Sequence, residues 1–164
     1  MNKIATFVAA LLITVLTCTV VAKEAADATA PTKALVAYET ALKVGDAKAA
    51  KNLTAKFEAT PEEALDQYTA KYSQGAKAGK LSIKPVTGSA KVVGDFAVVT
   101  FSDGNKDRPD YDPAFLMKQD GEWRIFLRLT KWDHPMFDLS VEQKKQLGEL
   151  QEWFAAEKNR LYGR

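Results

Sequence analysis

Apolar and polar residues alternate along a central stretch of the chain, residues 91–131, as they do in β-strands with one buried face. One side of the alternation is an unbroken apolar row made of Trp123, Ile125, Leu127 and Leu129. Two glycine-containing pairs, Gly94-Asp95 and Asp120-Gly121, interrupt the pattern, and each is typical of a two-residue hairpin turn. The stretch therefore predicts a curved antiparallel sheet with the apolar row on its core face.

The second turn also predicts which residues lie opposite one another. With Asp120 and Gly121 in the turn, Leu116 faces Ile125 on the core side. The other side is mixed and contains Phe115, Met117 and Phe126 together with Arg124 and Arg128. Because this face is too apolar to be wholly hydrated, we expect another element to cover part of it.

Before the sheet, apolar residues recur at the spacing of α-helices. Thr32 is the predicted cap of a helix from Lys33 to about Val44. Asp46 caps a second helix, whose predicted buried stripe is Ala50, Leu53 and Phe57. A third helix opens at the capping sequence 60–63, and its predicted buried side carries Leu65, Tyr68 and Tyr72.

One strand and one long helix complete the pattern. The sequence predicts a strand from Leu81 to Val86, which bends at Gly88 and continues to Val93. Pro85 favours a position at a sheet edge or a bulge for this strand. After the sheet, Ser140 and Gln143 form a capping box. The amphipathic helix that follows is expected to cover the mixed sheet face, or else to offer a surface to a partner.

The first 22 residues have the features of an export signal. Lys3 precedes an apolar run from Ile4 to Leu16, and the small residue Ala22 suits a cleavage site. Two alternatives remain open. Cys18 lies in a sequence similar to a lipoprotein-processing site, from which Thr17 departs, and the stretch from Ile4 to Ala22 is just long enough to stay as a membrane anchor.

Composition and charge narrow the function classes. Apolar residues make up 46% of the chain, which is ordinary for a globular core. Cleavage after Ala22 leaves 22 basic and 21 acidic residues without a basic cluster, which argues against nucleic-acid binding. It also removes the only cysteine, so with a single histidine we expect no metal site and no cofactor. Carboxylates in the loop 103–112 resemble the start of a calcium loop, but Arg108 and Ala114 break that pattern.

The order of these elements resembles the nuclear transport factor 2-like (NTF2-like) superfamily, and more narrowly its secreted bacterial lumazine-binding-like and uncharacterised members. The resemblance covers roughly 33–131 and rests on three segments, namely residues 44–47, 94–100 and 120–125. It implies a cone-shaped domain in which helices line a pocket against a curved sheet. Its members include dehydratases, isomerases, ligand binders and assembly modules, so the fold alone selects no function.

The expected fold class is α+β, with N-terminal helices packed on a curved antiparallel sheet of about four strands and an added C-terminal amphipathic helix. The expected organisation is a signal peptide at 1–22, a tether at 23–31, the cone-shaped domain at 32–139 and the C-terminal helix at 140–164.

Aromatic residues on the predicted core-facing positions are the candidates for a ligand pocket. Tyrosine hydroxyls there are able to orient a small ligand, or they belong to core residues whose hydroxyls reach the rim. The predicted pocket for a small apolar or aromatic ligand comprises Tyr38, Tyr68, Tyr72 and Trp123.

The only histidine, His134, follows Asp133 and precedes a proline. A histidine oriented by a carboxylate is a usable general base near neutral pH, so Asp133 and His134 are the candidate catalytic pair. No nucleophile and no oxyanion arrangement accompanies them in the sequence, and a role in a loop or a cap is the alternative.

We therefore expect an exported, non-enzymatic bacterial domain, periplasmic or secreted, that binds a small ligand or an envelope protein partner. A protein partner or a second copy would use the sheet face or the C-terminal helix. The alternative is a small isomerase- or dehydratase-like enzyme that transfers protons through Asp133 and His134.

Overall fold

Helices flank an antiparallel sheet in the residues that the structure, a computed structural model, describes, namely 28–57, 62–79, 82–126 and 138–164. The helices are α1 (28–44), α2 (Ala47–Asn52), α3 (Glu62–Lys77) and α4 (Val141–Leu161). The strands are β1 (Lys84–Val93), β2 (Phe96–Ser102), β3 (Tyr111–Gln119) and β4 (Glu122–Phe126). The α+β class predicted from the sequence is confirmed. None of these helices has both the length and the apolar character needed to cross a membrane.

The sheet is a meander in which each strand pairs with the next, in the order β1-β2-β3-β4. Asp120 and Gly121 both have positive φ, at 54° and 80°, as a type I′ hairpin turn requires. The predicted register, with Leu116 opposite Ile125, is confirmed, and Phe115 lies opposite Phe126. The predicted bend in β1 is also present, as a register shift between Pro85 and Ala90.

The outer edge of β4 is paired with the segment that follows α2. The Ile125 amide donates to the Leu53 carbonyl at 2.7 Å, and the Ala55 amide donates to the Ile125 carbonyl at 2.8 Å. The prediction of a helix whose stripe runs on to Phe57 is therefore wrong, because α2 ends at Asn52 and the next backbone groups bond to β4. This segment carries the chain from one face of the sheet, at Leu53, to the other, at Ala55.

The first helix starts earlier than its predicted cap. Residues 28–31, the end of the predicted tether, are already helical, and residues 23–27 lie outside the described ranges. The Thr32 hydroxyl donates to the Ala28 carbonyl at 3.0 Å, so Thr32 is not a cap. Pro31 lies in the first described turn of α1. The predicted cap of α2 is confirmed, since the Asp46 carboxylate accepts from the Ala49 amide at 2.9 Å.

Two apolar layers form on opposite faces of the sheet. In the inner layer, helices α1 to α3 pack on the sheet through residues that include Leu35, Leu42, Ala50, Val99, Leu116 and Ile125. Trp123 packs against this layer, as predicted, whereas Leu127 and Leu129 of the same row lie outside the described residues. In the outer layer, α4 packs on the sheet through residues that include Phe96, Val98, Phe115, Phe126, Leu147 and Leu150.

The start of α4 and its role as a cover agree with the sequence. Ser140 and Gln143 form the predicted capping box, and Leu147 and Leu150 are fully buried. The helix lies over β1 and β2 and shares the outer layer with Phe115, Met117 and Phe126. α4 therefore covers the part of the mixed face formed by Phe115, Met117 and Phe126, as predicted. Arg124 stays partly exposed, and Arg128 lies outside the described residues.

The C-terminal half of α4 rests on a more polar surface. Glu157 is 8% exposed, and Arg160 binds its two carboxylate oxygens at 2.6 and 2.7 Å, which lowers the pKa of Glu157. The hydroxyls of Ser89 and Thr100 are buried without a hydrogen-bond partner in the described structure. Ser89 lies close enough to Glu157 to lower its pKa further without completing a hydrogen bond. The fully buried apolar residues of α4, Leu147 and Leu150, therefore lie in its N-terminal half.

Substitutions at two glycines distinguish the effect of backbone conformation on stability from the effect of side-chain packing. A Cβ added at Gly121 or at Gly148 meets no atom within 4 Å, but only Gly121 has positive φ. We expect Gly121→Ala to lower the free energy of unfolding by about 1–2 kcal/mol, since a left-handed backbone disfavours a side chain. The matched substitution Gly148→Ala, inside α4, should raise it by about 0.5–1 kcal/mol. Urea denaturation of both variants checks this, and a loss of stability in Gly148→Ala as large as in Gly121→Ala would contradict it.

The packing of α4 on the sheet gives a second prediction about stability. Leu150 is fully buried in the outer layer, so Leu150→Ala should cost about 2–5 kcal/mol in the free energy of unfolding. Val141 is 87% exposed in the same helix, so Val141→Ala should change it by less than about 0.5 kcal/mol. Equal effects of the two substitutions in urea denaturation would show that α4 does not pack as described.

Candidate functional site

Three of the four residues predicted to form a ligand pocket border the inner layer. Tyr38 on α1 is 2% exposed and belongs to this layer, and Tyr72 on α3 lies near it and is half-buried. Trp123 on β4 is also half-buried against the same layer. Tyr68 is 50% exposed, so the structure does not bring it together with the other three.

The position of Tyr68 follows from the geometry of α3. The buried side of this helix is formed by Leu65, Thr69, Ser73 and Ala76. At about 100° per residue, the centre of that stripe lies between Leu65 and Thr69, which puts Tyr72 on its border and Tyr68 beyond it. The prediction from the sequence placed the large residues Leu65, Tyr68 and Tyr72 on the buried side of α3. It therefore missed Thr69 and Ser73, two polar residues that are buried.

The hydroxyl of Tyr38 has no hydrogen-bond partner in the described part of the chain. Thr54 lies close enough to lower the pKa of Tyr38 slightly, but its own hydroxyl donates to the Ala50 carbonyl at 3.0 Å and the pair lacks hydrogen-bond geometry. Burial, followed by the nearby Tyr72 phenol, raises the pKa of Tyr38 well above its usual value. Tyr38 is therefore a protonated and unpaired donor inside the fold.

A second unpaired hydroxyl lies on the helical side of this layer, and the sheet side is apolar. The Thr69 hydroxyl is buried without a partner within the described ranges, whereas the Ser73 hydroxyl donates to the Leu42 carbonyl at 3.1 Å. The facing wall of the sheet consists of Ala97, Val99, Ala114, Leu116 and Ile125. An apolar wall opposite a few polar groups is the usual chemistry of a small-molecule site.

An open recess of about 320 Å³ lies on the other side of the sheet, at the β3–β4 turn. It is lined by Lys56, Gln119, Asp120 and Arg124. The Gln119 carboxamide accepts from the Lys56 amide at 2.9 Å and donates to the Lys56 carbonyl at 2.7 Å. Arg124 donates to the Asn52 carbonyl and to Glu122. The sequence placed Arg124 on this face but gave no signal for Lys56, because the crossing of residues 53–57 was not predicted.

Within the described ranges, the other candidate residues from the sequence add no side chain to these two places. Asp133 and His134, the candidate catalytic pair, lie outside the described residues. In the acidic loop 103–112, the Asp103 carboxylate accepts from the amides of Asn105 and Asp110 and so holds the loop's own backbone. Across residues 28–57, 62–79, 82–126 and 138–164, no group of three or more His, Cys, Asp or Glu side chains is placed to hold a metal ion.

The raised pKa of Tyr38 predicts a dependence of stability on alkaline pH. Its pKa in the folded chain lies above the ordinary value of 10.0, so its contribution to stability is complete below about pH 10 and is lost as the pH rises further. We expect Tyr38→Phe to reduce the fall in unfolding free energy between about pH 8 and pH 11, measured by urea denaturation. Tyr68→Phe, at an exposed position, should keep the wild-type fall, and an unchanged fall in Tyr38→Phe would contradict the burial of an ionisable phenol.

Comparisons with known proteins gave matches among solved structures alone. No protein-family model matches the chain, and no curated protein matches it. Among solved structures, the chain is similar to a Campylobacter jejuni protein described as an NTF2-like transpeptidase, with 20% identity and a TM-score of 0.43. The match covers 56% of this chain and 92% of that protein. A likeness at this level carries no conclusion about family or activity.

Proposed function

We propose that the chain is an exported, non-enzymatic domain that binds a small, mostly apolar ligand between its N-terminal helices and the inner face of the sheet. The observation that carries the proposal is the Tyr38 hydroxyl, which is buried and has no hydrogen-bond partner in the described structure. Buried polar groups in native proteins are nearly always hydrogen-bonded, so an unpaired one calls for a partner.

A bound ligand supplies that partner. Leaving a buried donor unpaired costs about 1–3 kcal/mol, and a ligand with a hydrogen-bond acceptor would remove this cost on binding. With its raised pKa, the Tyr38 phenol is protonated at physiological pH and is able to donate a hydrogen bond. The apolar sheet wall of Ala97, Val99 and Leu116 suits the rest of a small apolar molecule.

The half-buried aromatic residues provide an entrance. Tyr72 and Trp123 pack against the inner layer but keep part of their surface exposed. Flat side chains at this border are suited to contact an aromatic or apolar ligand on its way in. Tyr68, with half of its surface exposed, is assigned no role in binding.

The chemistry of the inner layer favours binding over catalysis. An efficient general acid or base has a pKa near the operating pH, and the environment of Tyr38 moves its pKa further away from neutrality. The hydroxyls of Thr54, Thr69 and Ser73 do not titrate in that range either. These groups are therefore suited to orient a ligand. The proposal that the chain is exported is supported by the sequence features of the first 22 residues.

Tyr38→Phe tests the proposal by removing only the hydroxyl. We expect ligand retention to weaken roughly tenfold, measured by native mass spectrometry of the purified protein with its bound small molecules. The ligand-free variant should be at least as stable as the wild type, because an unpaired buried group has been removed. Tyr68→Phe is the matched control and should retain ligand as the wild type does.

Two outcomes would count against this function. One is wild-type retention of small molecules by Tyr38→Phe, since the hydroxyl would then not contact the ligand. The other is a purified wild-type protein that carries no small molecule and gains no thermal stability from a library of small apolar compounds. The same spectra locate the mature N-terminus, and a chain that still begins at Met1 would contradict export by cleavage after Ala22.

A further inference from the structure

The recess at the β3–β4 turn carries two opposite charges, those of Lys56 and Asp120, that do not neutralise each other within the described residues. Lys56, Arg124 and Asp120 line the same space of about 320 Å³. Arg124 is paired with Glu122, but among the described residues neither Lys56 nor Asp120 forms an ion pair. A positive and a negative group therefore face one recess without contact between them.

The cationic side of the recess is held in place by backbone contacts. The two hydrogen bonds between the Gln119 carboxamide and the Lys56 backbone tie the end of β3 to the segment after α2. Arg124 is 17% exposed, and its guanidinium is anchored by the Asn52 carbonyl. A guanidinium fixed in this way loses little conformational entropy when it binds a carboxylate.

The anionic side is fixed by the hairpin turn. Asp120 has φ of 54° and lies in the two-residue turn between β3 and β4, so its backbone position is determined by the turn geometry. Its carboxylate would repel a ligand that carries only negative charge, and the cations would repel a ligand that carries only positive charge. The ligand that satisfies both sides carries one charge of each sign.

We propose that this recess binds a small zwitterion, a molecule with one carboxylate and one ammonium group such as a free amino acid. The carboxylate contacts Lys56 and Arg124, and the ammonium contacts Asp120. The volume of the recess lies at the lower end of the range for small-molecule sites, which suits a ligand of this size. The site lies on the opposite face of the sheet from Tyr38 and does not depend on the function proposed for the inner layer.

Backbone amide chemical shifts provide the test, with glycine, β-alanine and 4-aminobutyrate as probes and acetate and methylammonium as singly charged controls at matched ionic strength. We expect the amino acids to shift the amides of residues 119–122 in a saturable way, with a dissociation constant on the order of 1 mM. Acetate and methylammonium should bind at least tenfold more weakly, because each satisfies only one side.

Substitutions locate the site and separate it from the inner layer. Lys56→Met and Asp120→Asn should each weaken binding roughly tenfold, and asparagine tolerates the positive φ at position 120. Lys118→Met is the control, because Lys118 is exposed and lies opposite Trp123, on the other side of β3. Tyr38→Phe should leave zwitterion binding unchanged, even if it abolishes binding in the inner layer.

Three results would overturn the proposal. The first is the absence of any saturable shift at residues 119–122 with all three amino acids. The second is binding of acetate as tight as that of the amino acids, which would make the recess a simple anion site. The third is wild-type affinity in both Lys56→Met and Asp120→Asn, which would place the ligand elsewhere.

Discussion

Burial of β2 on both of its faces is the constraint on which the rest of the structure depends. Residues 96–100 are all buried, with Ala97 and Val99 in the inner layer and Phe96 and Val98 in the outer layer. A strand of this kind requires a cover on each side, because exposing either face would leave contiguous apolar surface in water. The N-terminal helices provide one cover and α4 provides the other.

The parts of the fold that depend on local chemistry were predictable from the sequence. Alternation with period two and the Asp120-Gly121 pair fix the register of β3 and β4, because both signals act between residues close in the chain. The end of α2 was not predictable, because the backbone at Leu53 bonds to Ile125, which is 72 residues further along the chain. The outward position of Tyr68 likewise depends on how α3 packs, which its own sequence does not encode.

The candidate sites were likewise predictable from the sequence only in part. Tyr38 was found from helical spacing, but its unpaired hydroxyl is a property of the packed interior and has no signature in the sequence. The recess was missed because its two cations come from elements joined only through the crossing of residues 53–57. The two sites differ in chemistry, since one offers a neutral donor in an apolar layer and the other offers opposed charges next to solvent.

The segment 53–57 also shortens one open edge of the described sheet. An open strand edge is a template for adding strands from other molecules. In the described sheet, the backbone at Leu53 and Ala55 already occupies the hydrogen-bonding groups of Ile125 at one end. At the other end, β1 carries Pro85, which has no N–H to donate, and an irregular register up to Ala90. Both edges of the described sheet therefore offer fewer backbone groups to an added strand than a regular edge would.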